Sequence, residues 1–482
     1  MSQGTQIEIW EWFLLPLYLL VIYGIAYRVK IVNKVNRGRS YYSYFVIGLT
    51  AKIFGSIAFC LIYLYYYGGG DTTMYYEASM PLRNLFWEDT TSYIKVMSKD
   101  PTVEVMSLFT SDSGNPYSYL FYDLKTNMVL KLTSVFLIIG SGSYLIATVV
   151  LSSLAYVGIW KIFEMLNLYY PELKRHFAWC VLFVPSVTFW GSGILKDTYT
   201  MGATGLFVYA FHSVFIKKKY KSIFGWLQFF IGAFILISIK PYIFMVLLPA
   251  LFIWLVFERA YQIKNALILI LVLPISIGIF AAASYFLFSG LGDMLSKFSL
   301  DNALETAAIT QKDLLTNKQY GGNSFDVGNF DGSIGSAFAL FPNATFAGLF
   351  RPMIFESNNI VMLISGLENT VLLLLLVLAL FKRSIRKTWY VIRSNAYIVF
   401  ALIFSIFFAF VIGLTTANFG AMVRFKIPMF PFFLSALVIL YYYDALIMSA
   451  RNKENVQPDP EINSSDTNGE KGNEEQVESP AV

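Results

Sequence analysis

Cysteine and histidine are scarce in this sequence. The 482-residue chain contains two cysteines, Cys60 and Cys180, and two histidines, His176 and His212. Both cysteines lie inside apolar stretches, which argues against a disulfide framework and against a reactive thiol. With so few nitrogen and sulfur ligands, the sequence predicts no His/Cys metal cluster.

Charge is also scarce, and this decides the class of protein. Only 14% of the residues are charged, whereas a soluble domain carries about 25%. Hydrophobic residues make up 56% of the chain and aromatic residues 18%. This composition predicts a polytopic membrane protein. The N-terminus carries Glu8 and Glu11 but no basic segment, so we expect its first apolar stretch to be a retained span rather than a signal peptide.

Long apolar stretches recur along the chain. A membrane-spanning helix needs about 20 mostly apolar residues. The sequence therefore predicts an all-α polytopic domain over residues 1–451, with about 11 transmembrane helices. The predicted spans are 10–27, 43–66, 143–165, 177–192, 198–215, 222–239, 241–257, 265–288, 360–381, 395–414 and 427–447. The apolar stretch 127–140 follows a polar loop, and we expect it to be interfacial or re-entrant.

Basic residues in the short loops predict the orientation, because such residues accumulate on the cytoplasmic side. Four Lys/Arg-rich segments fall on one side if the N-terminus is outside: 28–39, 172–176, 217–221 and 382–387. The polar, acidic tail 452–482 is then cytoplasmic and expected to be disordered. Two long loops, 68–142 and 289–359, then lie on the outer face of a bacterial inner membrane.

An acidic residue begins the first of these loops. The stretch YLYYYGGGDTTMYYEAS runs from Tyr63 to Ser79 and places Asp71 directly after three glycines. One interpretation is that Asp71 is a helix N-cap. The other is that it works at the membrane surface, beside Glu77 and the pair Tyr75–Tyr76, as a general base or a cation ligand. The two roles are compatible.

Cations recur in the predicted outer segments, where the distribution rule leads us to expect few. They lie in PSVTFWGSGILKDTY, ISIKPYIF, GLFRPMIFESNN and TTANFGAMVRFKIPMFP, and they are Lys196, Lys240, Arg351, Arg424 and Lys426. Each has a structural alternative, such as an exposed lysine beside an Asp197 cap, snorkelling of Lys240 to lipid headgroups, or an Arg351–Glu356 ion pair. As a set they predict binding of an anionic substrate, and a lipid-linked phosphate fits that depth.

Two further charges lie inside predicted spans. Lys52 and Glu368 are placed within a turn or two of the same depth, so an ion pair between them is expected, with a structural role favoured over proton transfer.

The layout resembles the GT-C class of membrane glycosyltransferases, which use polyprenyl-phosphate-linked sugars. In that class a span leads into a first long outer loop with an acidic catalytic residue near its start, and a second long outer loop follows six further spans. Here the span ending at Tyr67 would be the first of that module. Asp71 then takes the acidic position, and loop 289–359 takes the place of the second loop. The chain has one extra N-terminal span, and it lacks the DxD or Asp-Glu pair that many members carry.

The resemblance implies transfer of a sugar from a polyprenyl-linked donor to an envelope glycan, lipid or protein acceptor, with inversion at the sugar carbon. Asp71, with Glu77, would act as the base. The five cations would hold the lipid phosphate, and Tyr75, Tyr76 and Trp190 would stack on sugar rings. No cofactor is implied with certainty, and a divalent cation is left open.

Two alternatives remain open at this point. One is a Wzy-like oligosaccharide repeat-unit polymerase, which also uses outer-loop arginines such as Arg351 and Arg424. The other is a transporter or flippase for an anionic lipid-linked substrate, although the sequence has no internal repeat and its polar residues gather in the outer loops. The basic segments are short and explained by topology, so a nucleic-acid partner is not expected.

Overall fold

The computed structural model describes residues 5–260, 305, 308–314, 324–357 and 359–456, with the side chains beyond residue 448 left out. In these ranges the ordered structure is helical, apart from an isolated antiparallel bridge between Ser324 and Asn418. The α-helices are α1 Ile9–Ile31, α2 Phe45–Leu61, α3 Asp71–Glu88, α4 Thr90–Ser98, α5 Val103–Met106, α6 Ser118–Phe121, α7 Leu124–Ile139, α8 Tyr144–Tyr169, α9 Lys174–Phe177, α10 Pro185–Trp190, α11 Lys196–Phe211, α12 Ile223–Ile239, α13 Pro241–Ala260, α14 Ile334–Phe350, α15 Ile360–Phe381, α16 Ile385–Arg393, α17 Ala396–Thr415, α18 Phe419–Phe425 and α19 Phe430–Val456.

Eight helical segments of the described chain are long and apolar enough to cross a membrane. They are Ile9–Asn36, Ser40–Tyr66, Tyr144–Tyr169, Lys196–Ile216, Pro241–Ala260, Ile360–Phe381, Ala396–Thr415 and Phe419–Met448. Each coincides with a predicted span, which supports the polytopic, all-helical fold class. The predicted span 222–239 is a shorter apolar helix of 17 residues, and the predicted span 265–288 lies outside the described residues.

The predicted span 177–192 is not a continuous helix. It consists of the end of α9, a π-helical turn at Ala178–Leu182, and the six-residue helix α10. Pro185 begins α10 because its fixed φ suits the first helical position, and Gly191 follows its end. The chain therefore bends where an apolar run of this length alone would predict one straight helix.

Lys52 and Glu368 hold the two ends of α10 rather than each other, so the expected ion pair is wrong. The Lys52 ammonium donates to the carbonyls of Val187, at 3.0 Å, and Gly191. The Glu368 carboxylate accepts from the backbone N–H of Ser186 at 2.9 Å. A cation at the C-terminus and an anion at the N-terminus both match the helix dipole.

The predicted outer loop 68–142 is a helical unit from α3 to α7 rather than an extended loop. It has its own apolar cluster, which includes Leu82, Val96 and Phe121. The stretch expected to be interfacial or re-entrant is helix α7, which packs against α3. In the second predicted loop, α14 packs closely along α17, since a Cβ at Gly413 would lie 1.9 Å from the Ala344 carbonyl oxygen.

Three of the predicted basic loops come together at one end of the bundle, since Lys174 donates to the Ser40 hydroxyl at 3.4 Å and the Lys217 ammonium lies 4.4 Å from the centre of the Tyr169 ring. Arg39 donates to Glu164 at 2.9 Å, and Asn395 donates to the Tyr170 hydroxyl at 2.6 Å. We call this the Arg39 end, and the opposite end, where α3 begins, the Asp71 end. The described residues up to Tyr441 form one compact unit, and a second begins at Tyr442 and carries the end of α19. That helix extends to Val456, so residues 452–456 are helical where disorder was expected, and residues 457–482 lie outside the described residues.

Candidate functional site

Asp71 is the first residue of α3, and its carboxylate is not the helix cap. Gly68, Gly69 and Gly70 all have positive φ angles, of 69°, 118° and 145°, which favour glycine. Gly70 is the N-cap, and the Thr73 hydroxyl accepts from its N–H at 3.1 Å. The N-cap interpretation is therefore wrong, and the Asp71 side chain is available for other contacts.

Arg424 joins two carboxylates that come from different helices. It lies in α18, and its Nη2 donates to Asp71 Oδ2 at 2.9 Å. The same nitrogen lies 3.5 Å from Asp197 Oδ2. Asp197 is the second residue of α11, where free backbone N–H groups and the helix dipole favour a negative charge.

Lys240 completes a continuous chain of opposite charges. It lies in the turn between α12 and α13, and its ammonium donates to Asp197 Oδ1 at 2.6 Å. The Phe425 ring covers it, with its centroid 4.1 Å from Nζ. The side chains of Lys240 and Asp197 are almost fully buried, at 7% and 2% exposure. Such a pair is tolerated because each charge has a close partner of opposite sign. The cation therefore turns inward to Asp197 instead of reaching the headgroups.

Lys196 forms the neighbouring pair. Its Nζ lies 3.5 Å from Asp123 Oδ2 and donates to the Thr126 hydroxyl at 2.7 Å. Asp123 caps α7 by accepting from the Thr126 N–H at 3.0 Å. Burial alone would raise the pKa of Asp123, but the Thr126 hydrogen bonds and the Lys196 charge outweigh it and lower that pKa. The Tyr75 ring lies beside this pair, with its centroid 6.0 Å from Lys196 Nζ.

These contacts define a charge cluster at the Asp71 end of the bundle. Its members are Asp71, Asp123, Asp197, Lys196, Lys240 and Arg424. Asp197 and Lys240 are the buried members of the cluster. Asp71 and Asp123 are 42% and 49% exposed, so the cluster opens to the surroundings through them. Three acids balance three bases, and an entering anion must therefore take over contacts that a carboxylate now makes.

Two of the predicted charged residues, Glu77 and Arg351, have partners outside the cluster. Glu77 accepts hydrogen bonds from the Thr5 hydroxyl at 2.6 Å and the Tyr117 hydroxyl at 2.7 Å. Arg351 pairs with Glu356 at 2.5 Å, which was the structural alternative for this residue. The Arg351 guanidinium also lies 4.6 Å from the centre of the Phe325 ring.

Lys426 is fully buried, and it serves α14 rather than a ligand. Its ammonium donates to the carbonyl of Arg351 at 2.9 Å and to the side-chain oxygen of Asn369 at 2.7 Å. These contacts place a cation at the C-terminus of α14, where the dipole favours it. We therefore leave Lys426 out of the candidate site.

The aromatic residues expected to stack on sugars are largely covered. Trp190 is 5% exposed and packs against Phe59 and Tyr63. The Tyr76 hydroxyl donates to the Gly142 carbonyl at 3.0 Å. Tyr75 is 9% exposed and forms a wall of the cluster, so none of the three offers a free ring face comparable to that of an exposed tyrosine.

Asp197 and Asp123 were not among the predicted site residues, although each sits at a helix start. The signal for Asp197 was the single lysine in the turn after α12, because a buried lysine needs an anion nearby. Two further polar atoms near the cluster, Arg424 Nε and the Tyr242 hydroxyl, are buried without a hydrogen-bond partner in the described part of the chain.

Within the described ranges, no group of three or more His, Cys, Asp or Glu side chains is arranged to hold a metal ion. Comparison of the chain with protein-family models, curated proteins and solved structures gave no match. The charge cluster is therefore the feature of this protein that indicates a function.

Proposed function

We propose that this protein is a membrane glycosyltransferase that uses a polyprenyl-phosphate-linked sugar and acts at the Asp71 end of the bundle. The donor sugar moves to a hydroxyl of an envelope glycan, lipid or protein, and the Asp71 end faces the outside of the inner membrane. The observation that carries the proposal is the half-exposed Asp71 carboxylate, held through one oxygen by the nearly buried Arg424.

Asp71 is the general base of the proposed reaction. Its Oδ2 accepts from Arg424, whereas its Oδ1 accepts no hydrogen bond from the described residues. The acceptor hydroxyl attacks the anomeric carbon, and its proton passes to Asp71. The bond from that carbon to the phosphate oxygen breaks with inversion, and polyprenyl phosphate leaves.

Lys196 and Arg424 are the cations that offer the leaving phosphate positive charge. Their side chains are 22% and 16% exposed, so both reach the open side of the cluster. Arg424 can bind the phosphate through two nitrogens and stabilise the charge that develops as the bond breaks, whereas Lys196 holds the bound phosphate as a point charge. Lys240 supports them indirectly by neutralising Asp197.

A Wzy-like polymerase is the second candidate, and the central position of Arg424 favours it. Such an enzyme acts on the same class of lipid-linked substrate but joins oligosaccharide repeats. In that case the reaction would depend mainly on Arg424 and would tolerate the loss of Asp71.

The test uses protein purified in detergent, offered a polyprenyl-phosphate-linked sugar and a mixture of hydroxyl acceptors. Release of polyprenyl phosphate and formation of a glycosylated acceptor are followed by mass spectrometry. Products that grow by whole repeat units identify the polymerase. Movement of an intact lipid-linked sugar across vesicles, with no bond broken, identifies a flippase and contradicts the proposal.

A further inference from the structure

A pair of exposed tyrosines lies beside Asp71 in the helical unit of residues 68–142. Tyr117 and Tyr119 have nearly parallel rings, with centroids 6.0 Å apart and planes 15° from each other. Their exposed fractions are 39% and 65%. The two rings face each other, and each keeps part of its surface uncovered in the described structure.

The hydroxyl groups fix both rings to the surface of α3. Tyr117 donates to Glu77 Oε2 at 2.7 Å, and Tyr119 donates to the sulfur of Met74 at 3.4 Å. The hydrogen bond to Glu77 and partial burial raise the pKa of Tyr117 to about 12. The rings are anchored at their polar tips and remain partly exposed.

The spacing along α3 places this pair next to the candidate base. Asp71, Met74 and Glu77 are three residues apart in turn, and side chains at that spacing are neighbours on a helix surface. All three are partly exposed, whereas Thr72, Thr73 and Tyr75 face the protein. Tyr119 lies over the turn that follows Asp71, and Tyr117 lies over the next turn.

We propose that Tyr117 and Tyr119 bind the sugar rings of a neutral acceptor glycan, which runs along α3 toward Asp71. The apolar C–H face of a sugar ring is attracted to the negative face of an aromatic ring. A base takes its proton from the acceptor, so an aromatic surface one turn from Asp71 is suited to the acceptor side. The proposal rests on the proposed function, and it gives Glu77 the role of positioning Tyr117.

Glycan binding can be measured without catalysis, on full-length protein in detergent. The probe is an array of neutral oligosaccharides, followed by calorimetric titration of the best-retained glycan. We expect Tyr119→Ala to weaken binding about tenfold or more, the loss of one well-used aromatic contact, and Tyr119→Phe to retain it. Tyr122→Ala is the matched control, since Tyr122 is 42% exposed in the same segment.

Retention of a glycan by wild type, with the loss confined to the Tyr119→Ala and Tyr117→Ala variants, supports the tyrosine surface. No retained glycan, or equal binding by Tyr119→Ala and wild type, overturns it. A separate assay of sugar transfer on the same wild-type preparation distinguishes this inference from the proposed function, because glycan binding is measured without catalysis. If the protein binds a glycan through Tyr119 but transfers no sugar, the proposed glycosyltransferase activity is contradicted and the glycan-binding site is supported.

Discussion

Asp71 and Arg424 are 353 positions apart in the sequence, yet their side chains meet at 2.9 Å. The contact joins the start of α3 to the short helix α18, and Arg424 extends it to Asp197 and so to Lys240. Arg424 therefore connects the partly exposed Asp71 to the buried pair Asp197–Lys240. A substitution of Asp71 or of Lys240 should therefore alter the contacts of the other residue through Arg424 and Asp197.

Loss of Lys240 should destabilise the fold. Lys240→Met removes the closest partner of the buried Asp197 carboxylate and leaves it with the longer contact to Arg424. Removing one member of a buried ion pair costs about 3–5 kcal/mol, because the remaining charge is uncompensated. Thermal unfolding in detergent should show a lower midpoint for Lys240→Met. Lys240→Met combined with Asp197→Asn should recover part of the loss, and an unchanged midpoint for the single variant would contradict the pairing.

Lys52 should be needed for the broken helix α10. Lys52→Met leaves the carbonyls of Val187 and Gly191 without their donor. Each buried, unsatisfied polar group costs about 1–3 kcal/mol. We expect a clear fall in the thermal midpoint, whereas Lys34→Met, at an exposed position, should leave it unchanged. Equal midpoints for the two variants would show that α10 does not depend on this lysine.

Acid should weaken the contribution of Asp123. Its pKa in the folded protein is lowered, so its ionised form adds stability above the unfolded value of about 4. That contribution is lost as the pH falls through the lower, folded pKa. Asparagine also caps helices well, so Asp123→Asn mainly removes the charge. Wild type should be the more stable protein at pH 7, and the two should converge as the pH falls below about 4. A difference in stability between wild type and Asp123→Asn that does not change with pH would rule out the Asp123–Lys196 ion pair.

Lys196 should affect donor binding more than the chemical step. Lys196→Ala removes a partly exposed cation from the mouth of the cluster, and one charge-assisted contact to a phosphate corresponds to roughly a tenfold change in affinity. We expect KM for the lipid-linked donor to rise by about that factor, with a smaller change in kcat. Lys95→Ala, an exposed lysine of α4, is the control. No change in KM would remove Lys196 from phosphate binding.

The sequence was most informative about helices, because a long apolar run leaves a signal that composition alone can detect. The sequence could not identify the break at α10, because proline and glycine, as at Pro185 and Gly191, also occur in and beside continuous helices. The partners of Lys52 and Glu368 could not be predicted either. Each binds backbone groups at an end of α10, and these groups become free only because the helix is broken there.

Four of the cluster residues, Asp71, Lys196, Lys240 and Arg424, could be named because charges beside apolar stretches are costly and stand out. Their mutual contacts depend on how helices far apart in sequence pack together. Glu77 illustrates the limit. It lies six residues from Asp71 and has the same carboxylate chemistry, yet the fold directs it to Thr5 and Tyr117.

The role of Asp71 as general base is tested by comparing sugar transfer by purified wild type, Asp71→Asn and Asp112→Asn. Asparagine keeps the size of Asp71 but cannot take up the acceptor proton, and Asp112 is an exposed aspartate of the same helical unit. We expect kcat to fall about 100-fold or more for Asp71→Asn and to equal the wild-type value for Asp112→Asn. Transfer by Asp71→Asn at the wild-type rate would contradict it.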